Sequence, residues 1–135
     1  MERKNHAGGC YCGQVRYVIA GEVRSVCFCH CESCRRASGA PLVAWGTVAK
    51  ADFKITRGTV STVRLRAEVE RGFCANCGSN LTYAHAGRAG EIDFTLASLD
   101  DPATLVPDRH LWVQDKLPWV HIDDGLPQHA TLTGG

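Results

Sequence analysis

The sequence has no long hydrophobic run. Nothing in its 135 residues approaches the roughly 20 apolar positions that a membrane-spanning helix needs. It also lacks an excess of charge: 15 basic residues against 14 acidic ones give a formal +1. That balance provides no electrostatic footprint for nucleic acid or for an anionic membrane. The opening residues, MERKNHAGGCYCG, have none of the apolar stretch of a secretory signal. Repeats, linkers and low-complexity segments are missing, and outside residues 34–39 no segment has a convincing helical period. These absences lead to the expectation of one soluble, cytoplasmic domain over residues 1–135, a length that suits a single core. Nothing in the pattern speaks to oligomeric state.

Cysteine, by contrast, is abundant, with eight residues. A reducing compartment disfavours stable disulfides, whereas a secreted domain would use them as staples. The spacings favour metal, because they are tight and paired. Cys10 and Cys12 form C-x-C in GGCYCGQVRY, and Cys74 and Cys77 form C-x-x-C in GFCANCGSNL. Each pair is followed by glycine, at Gly13 and Gly78, which can take a positive φ while backbone amides turn toward the thiolates. Two such pairs, distant in sequence, commonly combine into one closed tetrahedral zinc site, which contributes folding energy and does no chemistry.

The remaining four cysteines lie in CFCHCESCRRASGAP, residues 27–41. An extended segment over 27–31 would point Cys27, Cys29 and Cys31 to one face and His30 to the other. The chain must then turn for Cys34 to join, and RRASG suits a short helical turn ending near Gly39, with Pro41 beyond. Three protein ligands with an open position mark a catalytic zinc, whereas four would make a second closed site. Three strand thiols converging on one ion would need strong bending. Cys29, Cys31 and Cys34 are therefore the favoured ligands, and Cys27 is read as a buried or nearby free thiol. Seven ligating thiolates and two Zn²⁺ would bring the formal +1 to about −2.

The other segments read as strands. Residues 14–21 and 23–30 alternate around Gly21-Glu22 and suggest a hairpin. Residues 42–49, 52–58, 61–67 and 91–99 are β-branched and aromatic, and 110–114 and 119–122 suggest late strands. Residues 100–108 read as a loop with room for one helical turn. The expected fold is all-β: small antiparallel sheets, two of them, clamped by zinc, with one short helical turn.

Four stretches occur in order: GGCYCGQVRY, CHCESCRRASGAP, FCANCGSNL and HLWVQDKLPWVHIDDGLP. From Gly8 to about Pro127 the chain thereby resembles the glutathione-dependent formaldehyde-activating enzyme family, which includes centromere protein V. The resemblance implies a zinc-bearing β-tent and two Zn²⁺ per chain. It places a structural ion at Cys10, Cys12, Cys74 and Cys77, and maps Cys29, Cys31 and Cys34 onto the catalytic ligands. Cys27 lies outside that pattern. The implied activity is that of a carbon–sulfur lyase joining glutathione, or another small thiol, to formaldehyde or a related aldehyde. Zinc could hold the thiol as thiolate or polarise the aldehyde. Thiolate ligands weaken its Lewis acidity, which favours thiol activation.

Glutathione carries two carboxylates, and arginine binds carboxylates bidentately. Arg35 and Arg36, directly after the last ligand, are thus candidate substrate contacts, against the alternative of a surface role or a pairing with Glu32. His110 is a candidate proton shuttle, against a hydrogen-bonded structural histidine. Trp45 could wall a pocket or fill the core; Ser38, Lys116 and Trp119 are weaker candidates. Two other functions are open to such a chain. One is a non-catalytic zinc-stabilised scaffold module. The other is a thiol redox enzyme, for which only Cys27 would remain as nucleophile and no further cysteine as its resolving partner.

Overall fold

The computed structural model of the chain describes residues 5–132. It contains ten strands and one α-helix: β1 (Asn5–Gly9), β2 (Arg16–Ala20), β3 (Ser25–Cys29), α1 (Glu32–Ser38), β4 (Val43–Ala49), β5 (Phe53–Arg57), β6 (Ser61–Arg66), β7 (Val69–Phe73), β8 (Asn80–His85), β9 (Glu91–Thr95) and β10 (His110–Leu111). They form a three-stranded sheet, β1-β2-β5, and a seven-stranded sheet, β10-β3-β4-β9-β8-β7-β6. The all-β expectation with one short helix is thus met, although one sheet is larger than expected. All strand pairs are antiparallel except β10 with β3, which is parallel. Among the described residues no helix is long and apolar enough to cross a membrane.

Strand alternation explains the layering. In β2, Tyr17 and Ile19 are buried, while Arg16 and Val18 are less so. Those two side chains meet Val48, Leu81 and Phe94 from the large sheet, forming the main core between the sheets. Each full burial of this kind is worth about 1.5–3 kcal/mol. In β4, apolar residues are buried on both faces: Val48 joins the main core, and Val43 and Trp45 join a second cluster with Cys27, Cys29, Cys34 and Leu111. A strand covered on both sides belongs in the middle of a sheet, where the topology puts it.

Three expectations are corrected. The hairpin between 14–21 and 23–30 does not form: β2 pairs with β1 and β5, and β3 pairs with β4 and β10. Gly21 is buried, with the space for a side chain taken by the Asp52 carboxylate, so the chain crosses there from one sheet to the other. The late strands also shrink. β10 is two residues long because Trp112 takes a left-handed backbone (φ 58°, ψ 40°) and a 3₁₀ turn follows; residues 119–122 are not a strand. Finally, β9 ends at Thr95 in a 3₁₀ turn over Leu96–Ser98.

Candidate functional site

The first cysteine cluster sits between the sheets. Cys10 and Cys12 occupy the β1–β2 connection, and Cys74 and Cys77 the β7–β8 connection. Their four Sγ atoms all lie within 4.8 Å of one another. Cys10 and Cys12 are 3.6 Å apart, and Cys12 and Cys74 are 3.8 Å apart. A tetrahedron with Zn–S bonds of about 2.3 Å requires S···S separations of about 3.8 Å, so the donor set fits zinc. Gly78, at φ 77°, turns its amide back onto the Cys74 carbonyl at 2.7 Å. The Tyr11 amide donates to Ser79 Oγ at 3.0 Å, which joins one knuckle to the other. The Ser79 hydroxyl and nearby amides push the Cys77 thiol down to about 5.

The second cluster is built at the end of β3. Cys29 closes the strand, and Cys31 is the N-cap of α1, its Sγ accepting from the Cys34 amide at 3.2 Å. Gly39, left-handed at φ 70°, ends the helix and donates to the Arg35 carbonyl. This tight helical turn places the Sγ atoms of Cys29, Cys31 and Cys34 within 4.8 Å of one another. Among the described residues no fourth histidine, cysteine or carboxylate joins the group. Crowding splits the thiols: bonds from Cys29 and Cys34 drive Cys31 down to about 2, while bonds from Cys31 and Cys34 drive Cys29 far up. A cation suits such a trio, since it takes all three as thiolates. Cys27, one alternation earlier, is buried outside the group, and burial pushes its thiol up to about 11.

The trio opens into a cavity of about 800 Å³ over the face of the large sheet that points away from the main core. Strand register assembles this wall: Cys27 stands opposite Trp45, Thr47 opposite Asp93, Asp93 opposite Tyr83, and Tyr83 opposite Arg71. Trp112 and Leu132 line it from the C-terminal side. Five arginines reach it: Arg24, Arg66, Arg71, Arg88 and Arg109. Arg24 pairs with Glu91 at 3.0 Å, Arg88 with Asp93 at 2.7 Å, and Arg109 with Asp108 at 2.6 Å.

The residues expected to contact substrate are placed differently. Arg35 and Arg36 lie on α1 and do not line the cavity; Arg36 is exposed and paired with Glu32 at 3.0 Å. His110 is buried away from the cavity in a hydrogen-bonded chain. Its Nε2 lies 2.7 Å from Asp124 Oδ2 and its Nδ1 lies 2.8 Å from His30 Nε2. Asp124 is held below the usual carboxylate range by that bond and can only accept, so His110 donates from Nε2. Lys116 donates to the Val120 carbonyl at 2.7 Å, Trp119 is exposed, and Ser38 bonds the Cys34 carbonyl. Trp45 is both buried and in the cavity wall. Sequence reasoning missed Arg71, Tyr83, Arg88 and Trp112; the only available signal was the alternation in VERGF and NLTYAH, which puts Arg71 and Tyr83 on one face once the two strands are paired.

Fold and site together define a small two-sheet β protein with a sheet-bridging cysteine cluster and a second, three-cysteine cluster under an arginine-lined cavity. The chain belongs to the glutathione-dependent formaldehyde-activating enzyme family, whose sequence model matches residues 5–115. A protein of Schizosaccharomyces pombe named as an uncharacterized lyase is 29% identical over 80 residues. That match spans 59% of this chain and 58% of the relative's length. A crystal structure of a Rhodobacter sphaeroides protein has the same fold, with TM-score 0.59 and 19% identity over 91% of this chain and 98% of the other.

Proposed function

We propose that the chain is a zinc-dependent carbon–sulfur lyase that makes or breaks the adduct of a small thiol, such as glutathione, with an aldehyde, such as formaldehyde. One Zn²⁺ is held by Cys10, Cys12, Cys74 and Cys77 and the other by Cys29, Cys31 and Cys34. The observation that carries this reading is the three-sulfur cluster, without a fourth protein ligand among the described residues, at the base of a cavity of about 800 Å³. Family membership and the relative's lyase name support the reaction class. Eight unpaired cysteines suit a reducing, cytoplasmic compartment.

In the joining direction, sulfur bonds to the carbonyl carbon and the thiol proton ends on the former carbonyl oxygen. Cys29, Cys31 and Cys34 would hold a zinc ion that, its Lewis acidity weakened by three thiolates, would lower the pKa of the incoming thiol. The chain's own side chains shape the rest. Trp45 and Trp112 narrow the space from which water must be excluded. Tyr83, whose phenol burial raises above its ordinary range, stays neutral and offers an O–H donor to the carbonyl oxygen. Arg35, Arg36 and His110 stand outside the cavity wall; in this reading they support the metal loop.

The test measures adduct formation with a panel of thiols and aldehydes, formaldehyde and glutathione first. The native protein is expected to exceed the spontaneous rate, and Cys31→Ser to lose at least about 100-fold while zinc falls from about two to about one per chain. No acceleration with any pair would overturn the proposal.

A further inference from the structure

The five cavity arginines are not equivalent. Arg24, Arg88 and Arg109 each have a carboxylate partner within 3.0 Å. Among the described residues Arg66 and Arg71 have none. Arg71 stands out further. Its guanidinium carbon lies 4.9 Å from the centre of the Tyr83 ring, which holds the planar group by cation–π contact. Its Nη1 is buried and has no hydrogen-bond partner. Folded proteins rarely leave a buried donor unpaired, and a charged one is the costliest to leave. A cavity-lining arginine held over an aromatic ring, with a buried donor that has no partner, is preorganised for something that enters the cavity.

We infer that Arg71, assisted by Arg66, forms a carboxylate-binding subsite in the β6–β7–β8 wall of the cavity, which selects a thiol bearing a carboxylate. Register supports the pairing: Arg66 stands opposite Val69, and Arg71 follows Val69 by two positions, so both arginines share a face. Tyr83, opposite Arg71, shares it too. The choice of carboxylate follows from the charge available. Three of the five guanidiniums are already neutralised, and of the two that remain the planar group of Arg71, with one nitrogen buried and unpartnered, matches a planar, singly charged oxyanion better than a phosphate dianion. This deepens the proposed function and rests on it for the thiol's identity only; the subsite itself stands on Arg71, Tyr83 and the cavity.

The experiment uses the zinc-loaded full chain and, without aldehyde, S-methylglutathione, a carboxylate-bearing thioether whose sulfur cannot form the adduct, next to its diethyl ester. Binding is read by tryptophan fluorescence, since Trp45 and Trp112 line the cavity, and by calorimetry. The native protein should hold the acid roughly tenfold or more tightly than the ester. Arg71→Met should weaken the acid about 10- to 100-fold and leave the ester unchanged. Arg71→Lys, which keeps charge and stem but loses the fork, should fall between the two and serves if the Met variant loses its metal. Equal binding of acid and ester by the native protein, no binding of the acid, or unchanged binding by the variants would overturn the inference. Arg71-dependent binding without turnover leaves the subsite standing and removes the lyase reading. Turnover without carboxylate preference does the reverse.

Discussion

Tyr17 shows how much one residue carries. It is 1% exposed, stacks on Phe53 at 4.8 Å, and bonds Ser98 Oγ through its hydroxyl. Burial raises its phenol from 10.0 to about 12. A raised folded pKa contributes stability that is complete below the unfolded value and is lost as pH climbs through the folded one. The native protein should therefore lose roughly 2–3 kcal/mol between pH 10 and 12 relative to Tyr17→Phe, which has no phenol to ionise. At pH 7 the order is reversed, with Tyr17→Phe less stable by about 1 kcal/mol for the lost hydrogen bond. Denaturant unfolding of both proteins across this range tests the crossing; parallel curves would mean the phenol is solvated.

At the scale of elements, β10 is the weakest piece by length and the most elaborately tied. Two residues pair with β3, and the backbone of 110–114 bonds to residues 127–131 on its other side. The chain Asp124–His110–His30 runs through this layer, and His30 is fully buried between Cys29 and Cys31. When His110 is neutral it accepts at Nδ1 the proton of His30 Nε2. His110→Ala breaks both bonds, leaves a void, and strands a buried donor, at a cost of about 2–4 kcal/mol. The expected result is a lower denaturant midpoint at pH 7, with His110→Asn intermediate because it retains a donor. An unshifted midpoint would show that backbone pairing alone holds β10. The histidine was visible in the sequence, but its partners were not, because Asp124 and His30 reach it only through tertiary pairing. β7 and β8 escaped notice for a similar reason. VERGF is broken by charge and glycine, and its alternation makes sense only beside NLTYAH across the cysteine turn. Trp112 ended a strand that the pattern HLWVQ had extended, because a left-handed backbone at tryptophan leaves no trace in composition.

For the whole molecule, the cysteines were the legible part, because the spacing of ligands within each knuckle is local chemistry. The arginine-lined wall was not, because it is assembled from all seven strands of the large sheet, whose order in the sheet departs from their order in the chain. That contrast separates the two clusters physically. Cys10, Cys12, Cys74 and Cys77 bring a loop of the small sheet to a loop of the large one, so an ion held there would tie one sheet to the other. Cys29, Cys31 and Cys34 lie within six consecutive residues and tie only β3 to α1. Ligation energy at the first cluster would therefore be folding energy for the whole chain, while at the second it would be local. A graded chelator titration should remove the ion of the three-sulfur cluster first, with far-ultraviolet circular dichroism nearly unchanged. The second equivalent should leave only as the sheets unfold. Cys74→Ser should accordingly destabilise the protein by several kcal/mol or prevent folding, while Cys31→Ser keeps a cooperative transition and about one zinc. Simultaneous release of both ions, or a folded Cys74→Ser protein with an unshifted melting temperature, would show that the sheets are held together by their apolar core and not by the metal.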